Sequence, residues 1–296
     1  MIQSKKIVIV GGAGFIGTML SQALLKRGYR ITVLDKNPSR ISHPDLKSIT
    51  TDASHSITTE MLLESWGIIN LAGAPISKRW TKAYKKTIYK SRINTTKNIV
   101  DAVSQLESKP HVLVSASAVG YYGDQGNQVI NETTMPGKDF LAKLCVDWEK
   151  EALRAQDLGI RVAIVRTANV LGPGGLLQTL RPLFRYGLGG YFGNGNQYMP
   201  WVHWKDIVSI YIWLVDHELS GAYNTAAPQA VTQKELFKAF ARSIKAPWIL
   251  PVPYFFARIV VGEFAQALIA SQYVDSTKLS NTGFVFQVSD IDQALQ

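Results

Sequence analysis

The stretch Gly11-Gly12-Ala13-Gly14-Phe15-Ile16-Gly17 carries the strongest chemical signal in this chain. It separates a β-branched run from an amphipathic one, and its glycines let backbone N–H groups and a helix N-terminus approach a pyrophosphate. A β-carbon in such a turn obstructs that approach, while glycine at 17 lets the helix sit close on the sheet. Phe15 and Ile16 open the helix. The pattern is that of a dinucleotide site, for NAD or NADP. Asp35 stands near the spacing of an acid that accepts hydrogen bonds from a ribose 2′-hydroxyl and repels a 2′-phosphate. Lys36 and Arg40 follow at once and suit such a phosphate. Asp35 therefore favours NAD, and its basic neighbours favour NADP. Other reactive side chains have plainer readings. Cys145 on an amphipathic stretch reads as a small core residue, His203 between Trp201 and Trp204 as a satisfied structural histidine, and Asp206 as a helix cap.

Positioning these groups takes alternating strands and helices. Ile7 to Val10, Ile31 to Leu34, Ile68 to Leu71, Val112 to Ser115 and Val162 to Val165 read as buried strands. Phe15 to Arg27, Tyr84 to Leu106 and Leu141 to Leu158 read as helices, the first closed by Gly28. The alternation predicts an α/β chain: a Rossmann doubly wound parallel sheet with a smaller C-terminal substrate lobe. The texture changes after Pro173, where Gly187, Gly189, Gly190, Gly193 and Gly195 are interleaved with aromatics. Helical patterns follow at Ile207 to Val215 and Lys234 to Ile244, then a last one carrying Phe255, Ile259, Val260 and Phe264. The expected division is a dinucleotide-binding domain over 1–175, rejoined by about 200–228, and a substrate lobe over 176–296.

Bulk properties narrow the class. With 296 residues, 46% of them hydrophobic and 18% charged, the chain can build a sizeable core. The single cysteine excludes an internal disulfide and fits a reducing cytoplasm. Met1 to Lys6 runs straight into a strand without an apolar secretory core, and no apolar run approaches the roughly 20 residues that span a bilayer. The net charge of +10 suits an anionic cofactor or substrate. The basic stretch Lys78 to Lys97 has apolar residues at helical spacing and reads as a solvated helix face. No nucleic acid and no membrane are expected as partners; a small-molecule substrate is, and a homo-oligomer is left open.

Further motifs place the chain. Asn70-Leu71-Ala72-Gly73, Ser115-Ala116-Ser117 with Gly120-Tyr121-Tyr122-Gly123, and Arg166 to Pro173 resemble the extended short-chain dehydrogenases/reductases. Arg79-Trp80, Ser91-Arg92, Asp147-Trp148-Glu149, Gly187-Leu188-Gly189-Gly190, Pro200-Trp201-Val202-His203 and Asp206 narrow the likeness to atypical members of the NAD(P)-dependent epimerase/dehydratase superfamily. Leu250 to Phe284 resembles that group's own small terminal domain, expected over 247–296. Some such proteins carry a cell-division-inhibitor label, for which no residue here offers physical support. The resemblance implies NADP and cofactor contacts at Leu71, Ala72, Gly73, Ala74, Arg79, Ser115 and Asn169, with Ser117 polarising a substrate carbonyl or hydroxyl.

One departure limits the chemistry. The extended subclass carries Tyr-x-x-x-Lys on one helix face, the lysine lowering the tyrosine pKa for proton exchange. Counting back from Glu149, which resembles the acid of that helix, the tyrosine position falls on Leu141 and the lysine position on Cys145. Arg92 replaces the usual helper asparagine. Tyr122 is then the candidate proton donor, and Tyr121, Tyr122, Tyr191, Phe192 and Trp201 are candidates to line an apolar pocket. The expected function is an NAD(P)-dependent oxidoreductase or epimerase-like enzyme; the rival is a non-catalytic NAD(P)H sensor, which the missing pair favours.

Overall fold

Ile7, Val8, Ile9 and Val10 are all fully buried, which a strand achieves when both faces of its sheet are covered. In the computed structural model, which describes residues 5–253, 255 and 262–296, they belong to strand β1 (Lys6–Val10). Ile7 and Ile9 enter one hydrophobic cluster and Val8 and Val10 another, as the two-residue period of a strand requires. Helix α1 (Phe15–Lys26) packs Leu20 and Leu24 into the first cluster. The chain continues through β2 (Arg30–Asp35), β3 (Leu46–Thr50) and β4 (Gly67–Asn70). Helix α2 (Lys82–Ser104), β5 (Val112–Ala118), α3 (Phe140–Leu153), β6 (Arg161–Thr167), α4 (Trp204–Asp216) and β7 (Gly221–Thr225) follow.

These seven strands make one parallel sheet in the order β7-β6-β5-β4-β1-β2-β3. The fold is a Rossmann-like α/β architecture whose strand order reverses between β1 and β4. A crevice forms at the carboxyl ends of strands at such a reversal, and the glycine turn follows β1 there. Side chains of α1 and α4 fill one face, and those of α2 and α3 fill the other. The helix starts are capped: Thr81 Oγ1 accepts from Tyr84 N at 3.1 Å, and Asp139 Oδ1 accepts from Ala142 N at 2.8 Å. On α2, Ile88 and Ile93 are buried while Lys82, Lys86 and Lys90 are exposed, so the basic run is a solvated face.

A second core gathers Leu177, Phe184, Trp201, Phe237, Phe240 and Ile291, around helix α5 (Gln233–Ser243). Short parallel pairings stitch this lobe together and to the first: Asn169–Leu171 with Trp201–His203, Gly190–Phe192 with Leu250–Val252, and Val129–Ile130 with Tyr273–Val274. Helix α6 (Phe264–Ile269) carries Phe264; Ile259 and Val260 lie outside the described residues. Two sequence expectations need correction here. Asp206 does not cap α4; it is fully buried within the first turn and accepts from the backbone amides of Gln287 (2.7 Å) and Val288 (3.1 Å). His203 is buried with no partner for Nδ1 among the described residues, and burial pushes its pKa down, so it is a neutral core ring. Among the described residues no helix is long and apolar enough to cross a membrane.

Candidate functional site

The glycines of the turn divide by what a side chain would meet. Gly11 has φ +82°, and a β-carbon there would stand 2.8 Å from the Ala72 backbone. One at Gly17 would lie 2.6 Å from Gly12 Cα, and one at Gly12 would press on Val33 and the Ile9 carbonyl. These three are demanded by packing. Gly14 differs, because its β-carbon would meet only Gly11 O at 3.5 Å and otherwise project into open space. No side chain caps α1 and its first turn holds no acid, so the leading amides of the helix have no protein acceptor supplied by a cap. Asp35 Oδ2 accepts from Ala13 N at 3.1 Å and its Oδ1 from Asn37 N at 3.0 Å, which fixes the turn against the end of β2. Lys36 pairs with Asp52 at 2.9 Å, beyond the end of β3; Arg40 is exposed and has no ion-pair partner among the described residues. Hydrogen bonds from Lys36, Ser54 and His55 hold the Asp52 carboxyl well below the usual carboxylate range despite the opposing effect of burial.

From this turn a cavity of about 640 Å³ runs between the sheet edge and the C-terminal lobe. Gly11, Gly14, Phe15, Ile16 and Gly17 line one end, Leu71, Ser117 and Asn169 the floor, and Trp80, Phe140, Leu141, Leu144 and Phe264 much of the apolar wall. Trp80 packs on Phe140 and Phe264 with ring centroids 5.2 and 5.3 Å away. The lobe is held over this wall by a bridge between Trp80 and Gly262 and by the Lys85–Glu263 ion pair at 2.6 Å. Of the residues expected to contact cofactor, Gly12, Asp35, Lys36, Arg40, Ala72, Gly73, Ala74, Arg79 and Ser115 do not line the cavity. Ser115 lies fully buried in the sheet opposite Asn70, and Arg79 is exposed. Asn70, Ala72 and Ala74 fasten the loop instead: Asn70 Nδ2 donates to Thr96 Oγ1, Ala72 N to Asn70 Oδ1, and Ala74 N to Ser91 Oγ.

Under the floor lies a buried polar network. Ser117 Oγ donates to Glu149 Oε1 at 2.6 Å, and Arg166 grips both Glu149 oxygens at 2.9 and 2.8 Å. Arg166 Nη1 also donates to Tyr122 Oη at 2.8 Å, and Tyr122 Oη donates to Asn224 Oδ1 at 2.6 Å. The expectation for Tyr122 is corrected here. Its ring is fully buried outside the cavity, its hydroxyl is committed on both sides, and burial pushes its pKa up to about 12. The expected aromatic lining is corrected too: Tyr121, Tyr122, Tyr191, Phe192 and Trp201 are replaced by Trp80, Phe140, Trp148, Tyr198 and Phe264. Tyr121 and Tyr122 form an edge-to-face pair, and Trp201 is core.

Residues 7–226 match the model of the NAD dependent epimerase/dehydratase family, and residues 252–296 match a domain of unknown function, DUF1731. The chain belongs to this epimerase/dehydratase family. It is 36% identical to the chloroplastic epimerase family protein SDR39U1 homolog of Arabidopsis thaliana, over 98% of this chain and 85% of that one. It is 35% identical to an epimerase family protein of Mycobacterium leprae, over 98% and 94% of the two chains. The structure of human epimerase family protein SDR39U1 with NADPH superposes with a TM-score of 0.86 at 28% identity, covering 98% of this chain and 97% of that one. The UDP-glucose 4-epimerase of Thermus thermophilus, solved with NAD, shares the fold (TM-score 0.79, 20% identity, 98% and 97% covered).

In this family member the two positions counted back from Glu149 both face the cavity. Leu141 and Cys145 line it one helical turn apart on α3, carrying an isobutyl group and a thiol. Burial pushes the Cys145 thiol up to about 12, so it stays protonated at neutral pH. Ser117 is the one expected catalytic residue that the structure brings to the wall. Sequence reasoning missed the buried partners that orient it. Arg166 and Glu149 stand inside quoted motifs, but nothing in their spacing shows that they meet.

Proposed function

We propose that this chain binds NADP(H) along the glycine turn and passes hydride between it and a small molecule enclosed against the C-terminal lobe. The observation that carries this reading is the single cavity running from Gly14 to Phe264 past Ser117. The turn suits a dinucleotide: Gly14 leaves open the space a β-carbon would fill, and uncapped amides of α1 face an anion. NADP(H) is favoured because both Asp35 oxygens already accept backbone hydrogen bonds and exposed Arg40, with no ion-pair partner among the described residues, follows β2, while Lys36 would exchange Asp52 for the phosphate. The NADPH in the human relative supports the same choice. The cofactor, when bound, supplies the hydride chemistry. The chain's own residues orient and desolvate. Ser117, its proton committed to Glu149, presents lone pairs to a substrate hydroxyl and can relay that proton to the carboxylate. Trp80, Leu141, Leu144 and Phe264 keep water from the reacting atoms.

A second reading has its own support: the Tyr122 hydroxyl is committed to Arg166 and Asn224, and the cavity-facing positions of α3 are Leu141 and Cys145, which suits a protein that senses the cofactor's state without turnover. One experiment separates the two. Small molecules released from the denatured protein are identified by mass spectrometry and returned to fresh protein with NADPH or NADP while nicotinamide absorbance is followed. Turnover is expected, slowed by about 10²-fold or more in Ser117→Ala, the scale of a lost acid–base contribution. Tight NADPH binding with flat absorbance for every co-purified molecule would leave the sensor.

A further inference from the structure

We infer that the cavity takes an anionic small molecule, a carboxylate with an apolar body, and that Arg92 holds its charged end. The inference deepens the reading of this cavity as a substrate site and rests on it. Arg92 is the sole lysine or arginine among the described residues that line the cavity. Its Nη1 donates to the carbonyls of Ala74 (3.1 Å) and Ile88 (3.2 Å), which pins the side chain between the loop after β4 and the preceding turn of α2. The guanidinium lies flat on Gly73, where a β-carbon would stand 2.7 Å from Cζ and 2.8 Å from Nη2. The Trp148 ring centroid is 5.2 Å from Cζ. Glycine at 73 leaves the room that the guanidinium occupies.

What this arginine lacks is a counter-charge. None of the ion pairs among the described residues includes it, and Nε and Nη2 donate to no protein acceptor there. The two acids among the described residues that line the cavity are otherwise engaged: Asp139 caps α3 and Glu263 pairs with Lys85. Titratable groups close to Arg92 are Cys145 and Tyr84, both neutral at physiological pH. Arginine cannot escape burial by losing its proton, so a charge held against an apolar wall favours an anion beside it. The two free nitrogens decide the shape of that anion. Nε–H and Nη2–H point the same way, the fork that a carboxylate matches with two parallel hydrogen bonds. Leu144, Trp148, Trp80 and Phe264 in the same cavity then suit an apolar body.

The test uses benzoate and its neutral counterpart benzamide as probes, titrated calorimetrically into the full chain with and without NADPH. Benzoate is expected to bind at least about tenfold more tightly than benzamide, as charge-assisted pairing with a guanidinium predicts. Arg92→Met should weaken benzoate by roughly 30-fold and erase the preference, while changing NADPH affinity by less than about threefold. Arg92→Lys, which keeps the charge and loses the fork, should retain part of the preference and serves as the readout if Arg92→Met melts early. Three results overturn the inference: no benzoate binding to the native chain, equal binding of benzamide, or a benzoate preference that survives Arg92→Met. A loss of NADPH affinity in Arg92→Met that matches the benzoate loss also overturns it, assigning the guanidinium to a cofactor phosphate. Failure of NADPH to bind the native chain counts against the proposed function alone, since benzoate is also titrated without it.

Discussion

At Gly14 the backbone is extended (φ −72°, ψ 177°), so a substituted side chain costs no backbone strain and competes only for the space in front of α1. Gly17, three residues on, is the opposite case, its missing β-carbon abutting Gly12 Cα at 2.6 Å. The pair makes a prediction. Gly14→Val should fold with a melting temperature close to that of the native chain and lose NADPH affinity by about 10²-fold or more, roughly 2.7 kcal/mol. Gly17→Ala should be destabilised by a few kcal/mol, the range of backbone overpacking, whether or not cofactor is present. Calorimetry and thermal melts on both variants check it; a Gly14→Val protein that binds normally sinks the assignment of the turn. At this scale the sequence was legible in its pattern and not in its division of labour. Glycine spacing shows that a turn must be tight, but which glycine faces the ligand depends on Ala72 and Gly12 closing in on the others. Tyr122 departs from its expected place for a related reason. A residue's nearness in sequence to a serine strand does not say whether the short helical turn after β5 directs its ring toward the cavity or toward Asn224.

Among the elements, α3 carries Leu141 and Cys145 on its cavity face. Leu144, Trp148 and Ala152 pack inward, Glu149 engages Arg166, and Cys145 fills the position at which the resemblance to the extended subclass places a lysine. Burial raises the thiol from an ordinary value of 9.0 to about 12. The sign of the linkage follows. Below pH 9 the thiol is protonated in both the folded and the unfolded chain; between 9 and about 12 only the unfolded chain ionises, so stability falls as pH rises through that window. The native protein should therefore resist a thiol-specific disulfide reagent at pH 8 and react stoichiometrically once unfolded in guanidinium, and Cys145→Ala should soften the alkaline loss of stability. Rapid labelling of the native state would show a reactive thiol instead. The strands tell what periodicity can and cannot reveal. β1, β4, β5 and β6 are apolar on both faces and stand out in the sequence, whereas β3 and β7 do not. Leu46-Lys47-Ser48-Ile49-Thr50 is an edge strand with no fully buried residue, and Gly221 to Thr225 mixes small and polar groups whose burial depends on β6 and on Glu132, which accepts from Asn224 N.

Over the whole molecule, the two cores are joined by the end of the chain. Phe284 packs into the cluster on the α1–α4 face of the sheet, against Trp213 at 5.9 Å between centroids, while Val288 and Ile291 enter the core of the C-terminal lobe. Asp206, fully buried in α4, sets the crossing point by accepting from Gln287 N and Val288 N. Burial pushes its pKa up while those two amides pull it back down, so the carboxylate is an expensive group retained for what it holds. Its replacement by alanine would strand both amides, and each buried donor left without a partner costs about 1–3 kcal/mol. Asp206→Ala should lower stability on that scale, and hydrogen exchange should show where. Protection is expected to fall first over 284–296 and then in the lobe around α5, with β1, β4 and β5 exchanging only on global unfolding. Because the wall carrying Phe264 belongs to the same lobe, ligand affinity in the cavity should weaken more than affinity at the glycine turn. Uniform loss of protection across the sheet and the lobe would show instead that Asp206 supports the fold as a single unit, with the terminal segment in no special role.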